Sequence, residues 1–277
     1  MNLIILISTP DSQGLVHKIT ANLLEFNIEK NDEFVDKESA HFFMRTEISC
    51  ESGADIVAIQ RKIEANLKAI LPPQSFIKVT QKSKKSAVIF CTKEAHCLGD
   101  LLMKYYNNEL DIDIKAVISN YEILQSLVEK FNIPYFHISH ESKNYEDSML
   151  KICARFAPDF IILAKYMRIL SPKFIAHYEN RIINIHHSFL PAFIGANPYK
   201  QAYTRGVKII GATAHFVTSE LDSGPIICQD IMQVNHTFSW VDMQRAGRNI
   251  ERVVLAQAVD LAIQGRIFIH NNKTIIF

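Results

Sequence analysis

Residues 81–86, Gln81-Lys82-Ser83-Lys84-Lys85-Ser86, divide the chain into two stretches whose hydrophobic patterns do not belong to one sheet. A polar, basic run of this kind is costly to bury, so it marks a linker and predicts two domains, 1–80 and 87–277. Upstream, Leu3 to Ile7 is a β-branched apolar run, and Pro10-Asp11-Ser12-Gln13-Gly14 punctuates it before helical spacing through Leu15, Ile19 and Leu23. Extended segments follow at Ile28 to Val35 and Phe42 to Ile48, then a periodic helix with Ile56, Ile59, Ile63 and Leu67, then Phe76 to Val79. The order β-α-β-β-α-β predicts a small ferredoxin-like α+β domain, with both helices on one face of an antiparallel sheet.

Downstream, short apolar strands alternate with helical stretches: Ala87 to Cys91, Ile114 to Ser119, Ile133 to Ile138, Phe160 to Ala164 and Ile182 to His186. That alternation predicts an α/β domain with a mainly parallel sheet and helices on both faces, and its sites at the strands' carboxyl ends. The segment Val241 to Ile263, apolar at Met243, Ile250, Val254, Ala258 and Leu261, predicts a long amphipathic helix packed on it.

A formal net charge of +1 over 277 residues supplies no broad footprint for nucleic acid. No apolar run approaches the ~20 residues of a membrane span, and the amino terminus lacks a signal-peptide pattern, so no membrane association and a cytoplasmic location are expected. Cys50, Cys91, Cys97, Cys153 and Cys228 are scattered without paired short spacings, which suits reduced thiols and no metal site.

The chemistry concentrates in Asn184-Ile185-His186-His187-Ser188-Phe189-Leu190-Pro191. Side chains alternate along a strand, so Asn184 and His186 share one face and Ile185 takes the other. Later, Glu220-Leu221-Asp222-Ser223-Gly224-Pro225 places a carboxylate in a turn after the apolar strand Ile209 to Val217. An amide, an imidazole and a carboxylate can then converge.

These residues resemble the formyltetrahydrofolate hydrolase and transferase superfamily, whose members share an asparagine, a histidine and a later aspartate. Leu163-Ala164-Lys165-Tyr166-Met167-Arg168-Ile169-Leu170 resembles the family's pterin-side loop, and Gly211-Ala212-Thr213-Ala214-His215-Phe216-Val217-Thr218 precedes the aspartate as it does there. His186 through Phe193, followed by Gly195-Ala196-Asn197-Pro198-Tyr199, is most similar to the formyltetrahydrofolate deformylases. Those enzymes carry an amino-terminal ACT domain of the β-α-β-β-α-β type and a Rossmann-like formyltransferase-type domain.

The resemblance implies hydrolysis of 10-formyltetrahydrofolate to formate and tetrahydrofolate, with formate supplied to purine synthesis and one-carbon pools balanced. It implies catalysis by Asn184, His186 and Asp222, and folate contacts from Met167, Arg168, Ile169, Leu170, Val217, Thr218 and Glu220. His187 and His215 are expected as supports, His215 by orienting Asp222. Folate is the substrate, and neither a cofactor nor a metal is expected. Asp11, Gly14 and Leu15 fall in the turn where ACT domains bind an amino acid such as glycine, and a homo-oligomer is implied. Glu25-Phe26-Asn27-Ile28 lacks the paired glycines usual before that asparagine, and Tyr121 stands where deformylases often have histidine. The first domain therefore either binds an effector or serves only to dimerise.

Hydrolysis is preferred to transfer because a phosphorylated acceptor needs a glycine-rich turn whose backbone N–H groups cradle the phosphate. Here Phe90-Cys91-Thr92-Lys93-Glu94-Ala95-His96-Cys97-Leu98 occupies that position. Two other functions stay open: formyl transfer to an amine by the same three residues, and an amino-acid sensor with a vestigial site.

Overall fold

The computed structural model describes residues 1–51, 53–192 and 197–277; Phe193, Gly195 and Ala196 of the motif above lie outside the described residues. Two compact units result: Met1–Ser83 with Gly265–Phe268 and Ile275–Phe277, and Lys84–Gln264 with Ile269–Thr274.

The first unit contains β1 (Asn2–Pro10), α1 (Leu15–Ala21), β2 (Asn27–Asp36), β3 (His41–Ser49), α2 (Ile56–Ile70) and β4 (Phe76–Gln81). Its sheet is antiparallel in the order β2-β3-β1-β4, the expected ferredoxin-like arrangement. Alternation on β1 sends Leu3, Ile5 and Ile7 into a core with Leu15, Ile19, Ile63 and Leu67 from the helices. Gly14 precedes α1 at φ 80°, a left-handed conformation that a side chain would strain, and Asp55 caps α2 by accepting from the Ala58 N–H at 3.0 Å.

The second unit comprises β5 (Lys85–Cys91), α3 (His96–Tyr106), β6 (Ile112–Ser119), α4 (Gln125–Glu129), β7 (Tyr135–His137), α5 (Tyr145–Phe156), β8 (Phe160–Ala164), α6 (Pro172–His177), β9 (Ile182–His186), α7 (Pro198–Arg205), β10 (Ile209–Phe216), β11 (Ile226–Gln233) and α8 (Trp240–Ile263). The sheet order is β11-β10-β9-β8-β5-β6-β7, parallel from β9 to β7, with β10 antiparallel to both its neighbours. From β5 the chain builds outward through β6 and β7, then returns to place β8 and β9 on the other side. The carboxyl ends of β5 and β8 thus flank a topological switch point. Val88, Phe90, Ile161, Leu163 and Ile182 fill the core beneath it. Ser239 and Asp242 form a capping box that starts α8. Among the described residues no helix is long and apolar enough to cross a membrane.

Two boundaries differ from the expectation. Pairing takes up both ends of the stretch 81–86, since β4 runs to Gln81 and β5 begins at Lys85. Ser86 is polar yet sits in a strand because Asp159 accepts from its backbone N–H at 2.8 Å and its hydroxyl at 2.9 Å. Nor does the second unit run unbroken to residue 277. A carboxyl-terminal ribbon, β12 (Ile267–His270) and β13 (Lys273–Ile276), divides between the units. Phe268 meets Phe43 edge-on at 5.6 Å, and Arg45 Nε donates to the Gly265 carbonyl at 3.3 Å. Contacts spanning more than two hundred residues leave no local pattern to read.

Candidate active site

β9 and β10 set the site. Asn184 and His186 share a face of β9, and in the antiparallel register His215 lies opposite Asn184 and Thr213 opposite His186. The chain after β10 turns at Asp222, which holds φ 53°, and brings Asp222 Oδ1 to 3.2 Å from His186 Nδ1. The hydrogen bond with His186 holds the Asp222 carboxyl below its usual range, outweighing partial burial. His186 is buried, and its Nε2 has no hydrogen-bond partner among the described residues. That nitrogen is left for whatever the cleft holds.

His215 acts on a different residue from the one expected. Its Nδ1 lies 2.9 Å from the Phe216 carbonyl, so Nδ1 carries the proton. Burial keeps the ring below its usual pKa and neutral, leaving Nε2 an acceptor for the Asn184 amide at 3.1 Å. Asp222 Oδ1 is 3.8 Å from the same nitrogen, and two acceptors do not bond. His215 therefore anchors Asn184 rather than Asp222. His187 packs between His186 and Tyr199, at ring separations of 5.2 and 6.2 Å. Burial, then the Lys165 charge, lowers its pKa to about 4.

These side chains open on a cleft of about 780 Å³. Met167, Arg168, Ile169 and Leu170 form part of its wall, and Val217, Thr218 and Glu220 another part. Met167 and Ile169 are 56% and 70% exposed, so neither is core, the ordinary reading of such residues at a strand end. Arg168 reaches the Tyr121 hydroxyl at 3.4 Å, and Lys93 Nζ stands 4.5 Å from the centre of the Tyr121 ring. The twelve residues named above as catalytic, folate-contacting or supporting thus all line this cleft. In the first unit, Asp11, Gly14 and Leu15 line a separate hollow of about 330 Å³ with Glu33, Phe34 and Phe42.

Sequence reasoning missed a buried polar group on the same cleft. Glu251 accepts from the Tyr199 hydroxyl at 2.7 Å and lies 2.7 Å from His96 Nε2 and 3.1 Å from Lys165 Nζ. Burial opposes its charge, but the His96 bond, the Lys165 charge and the Tyr199 bond bring its pKa down to about 2. The available signal was position: Glu251 falls on the apolar stripe of α8, beside Ile250 and one turn from Gly247 and Val254. His96, Cys97 and Glu251 place ligand-type atoms within 4.8 Å of one another. Lys165 pairs with the carboxylate, and burial pushes the Cys97 thiol well up, so the group as it stands is an internal ion pair.

Residues 84–259 match the formyl transferase family. The formyltetrahydrofolate deformylase of Haemophilus influenzae is 50% identical over 279 residues, covering 99% of this chain and 98% of its own length. That of Escherichia coli O6:H1 is 50% identical, over 96% of this chain and 95% of its own. A crystal structure of a formyltetrahydrofolate deformylase from Pseudomonas syringae pv. tomato superposes with a TM-score of 0.95 at 38% identity, covering 100% of this chain and 94% of that one.

Proposed function

The chain belongs to the formyltetrahydrofolate deformylases, and from that premise we infer that it hydrolyses 10-formyltetrahydrofolate to formate and tetrahydrofolate with Asn184, His186 and Asp222 as its catalytic residues. The observation that carries the residue assignment is the buried, unpartnered His186 Nε2 in a ring fixed from behind by Asp222.

In this mechanism water adds to the formyl carbon and gives its proton to the ionised Asp222. The Asn184 amide and the Nε2–H of His186, which acts in its doubly protonated form beside the ionised Asp222, hold the oxyanion that forms. The C–N10 bond then breaks as N10 takes the Nε2 proton of His186; the formic acid formed returns a proton to that nitrogen and leaves as formate, and Asp222 gives the water proton to solvent. Asp222, bonded to Nδ1, keeps Nε2 turned to the substrate for that transfer. The folate stands along Met167 to Leu170 and Val217 to Glu220. Protein groups supply base, acid and oxyanion donors, so the scheme draws on no cofactor beyond the substrate. Formate release would feed purine synthesis and balance the one-carbon pools, and five free cysteines suit a reducing cytoplasm.

The test is incubation with 10-formyltetrahydrofolate in water without any amine acceptor. A deformylase releases formate and tetrahydrofolate in equal amounts. A transferase waits for its acceptor, and that result would overturn the assignment. For the first unit, we propose that the hollow at Asp11, Gly14 and Leu15 takes an amino acid such as glycine in a homo-oligomer. Calorimetric titration with glycine, beside Gly14→Val, tests it; no heat from the wild type would leave dimerisation as that unit's role.

A further inference from the structure

Lys165 follows β8 and is 4% exposed, and its only ionic partner among the described residues, Glu251, is 1% exposed. A buried ion pair is a poor device for stability, because well-packed apolar residues serve a fold as well or better. This one draws on four parts of the unit: His96 from the start of α3, Lys165 after β8, Tyr199 from α7 and Glu251 from α8. Thr92, just past β5, also fixes the Lys165 backbone, its hydroxyl donating to the Lys165 carbonyl at 2.7 Å. The arrangement stands at the switch point between β5 and β8, where open α/β sheets hold ligands.

Lys165, Tyr199 and Glu251 line the same cleft as Asn184, His186 and Asp222, with the His187 ring between the two groups. An ammonium has three donors, and Glu251 is the one acceptor that meets this one among the described residues. The Tyr199 hydroxyl is committed to Glu251 and contributes shape. What remains is a fixed, desolvated cation with donors to spare on the wall of the cleft that holds the reacting centre.

We propose that this wall is the subsite for the departing one-carbon anion: Lys165, held in place by Glu251, hydrogen-bonds the carboxylate of formate. The inference rests on the deformylase reading and deepens it. The formyl group is neutral in the substrate and becomes a full carboxylate only when water is the acceptor. Transfer to an amine would give another neutral amide. A buried cation therefore favours the hydrolytic outcome through a charge that only hydrolysis creates. No proton passes through Lys165; it donates hydrogen bonds only.

The experiment follows tetrahydrofolate formation by the full-length protein with added sodium formate or with neutral formamide, at ionic strength matched by sodium chloride. Formate should inhibit and formamide at equal concentration should not. Removing Lys165 alone would strand a buried carboxylate, so the variant is K165M/E251Q, in which the new amide can still meet Tyr199 and His96. Its affinity for formate, read from the line width of isotopically labelled formate with enzyme and tetrahydrofolate, should fall about tenfold or more, the worth of one charge-assisted hydrogen bond. Unchanged formate affinity in the folded variant would overturn the subsite, and so would equal inhibition of the wild type by formate and formamide. The wild-type contrast decides alone if the variant does not fold. Failure of the wild type to form tetrahydrofolate would instead bring down the deformylase reading, and the subsite with it.

Discussion

Asn184 Nδ2 lies 3.1 Å from Nε2 of His215, its direct partner across β9 and β10. Because His215 gives its own proton to the Phe216 carbonyl, the ring can only accept at Nε2, and the Asn184 amide must present N–H to it. An amide nitrogen carries two hydrogens. The second is free to meet an oxyanion, and its direction is fixed by the first.

Asn184→Ala should therefore lower kcat about 10² to 10³-fold, the ~2.7 to 4 kcal/mol of one oxyanion donor, with little change in stability. His215→Leu leaves the amide present but unanchored, and should cost kcat roughly tenfold with KM for folate unchanged, a loss of positioning rather than of the donor. His215→Gln, which offers an acceptor oxygen, should recover part of that loss. Steady-state kinetics of the three variants checks the order. Equal activity in His215→Leu and the wild type would remove His215 from the account.

Asp222 holds φ 53°, a left-handed conformation that asparagine adopts readily and most residues do not. Asp222→Asn thus removes charge with the turn intact. If the carboxylate takes the water proton and orients His186, kcat should fall about 10² to 10⁴-fold while folate still binds. Equilibrium binding of tetrahydrofolate, measured beside turnover, separates the two effects. Wild-type turnover by Asp222→Asn would end its assignment as base.

The first sheet and most of the second were legible because each obeys a local period: alternation on β1, and short apolar strands between helices from β5 onward; the edge strand β11, whose apolar residues do not alternate, was not. Asn184 and His186 were legible as a pair for the same reason, being two residues apart on β9. That Asp222 reaches His186 could be anticipated only through family resemblance, since a turn gives no direction. The anchoring of Asn184 by His215 depends on the β9–β10 register, which spacing does not encode. Lys165 and Glu251 are 86 positions apart in sequence order, and their ion pair exists only once β8 and α8 have packed. The division of the ribbon after Ile263 between the two units escaped for the same reason.

Gly247 lies on α8 where a Cβ would collide with the Tyr199 ring. On a helix surface Gly→Ala usually stabilises, by about 0.4 to 1 kcal/mol. At Gly247 the sign should reverse: Ala should cost about 1 to 3 kcal/mol by overpacking and push Tyr199 off Glu251. Trp240, the single tryptophan, opens the same helix and reports the second unit's unfolding by fluorescence. A stabilised Gly247→Ala protein would show that Tyr199 has room to move and that its bond to Glu251 is dispensable.

The same fluorescence reads a pH dependence that the buried groups impose. His187 titrates at about 4 in the folded chain against an ordinary 6.5, so between those values the unfolded chain binds the extra proton. Stability then rises with pH across that window and is lost as pH falls from 6.5 toward 4, by up to ~1.4 kcal/mol per pH unit and less for a ring that keeps some solvent contact. His215, also lowered by burial, acts in the same direction below 6.5. Glu251 comes later: its pKa drops from 4.5 to about 2 on folding, so its contribution is complete above 4.5 and disappears toward 2. Urea midpoints should therefore decline from pH 7 to pH 5 while Glu251 is still ionised, and His187→Gln should flatten that decline without touching the steeper loss below pH 4.5. An unaltered slope between pH 7 and 5 in His187→Gln would mean that this ring is hydrated and titrates as it does in the unfolded chain.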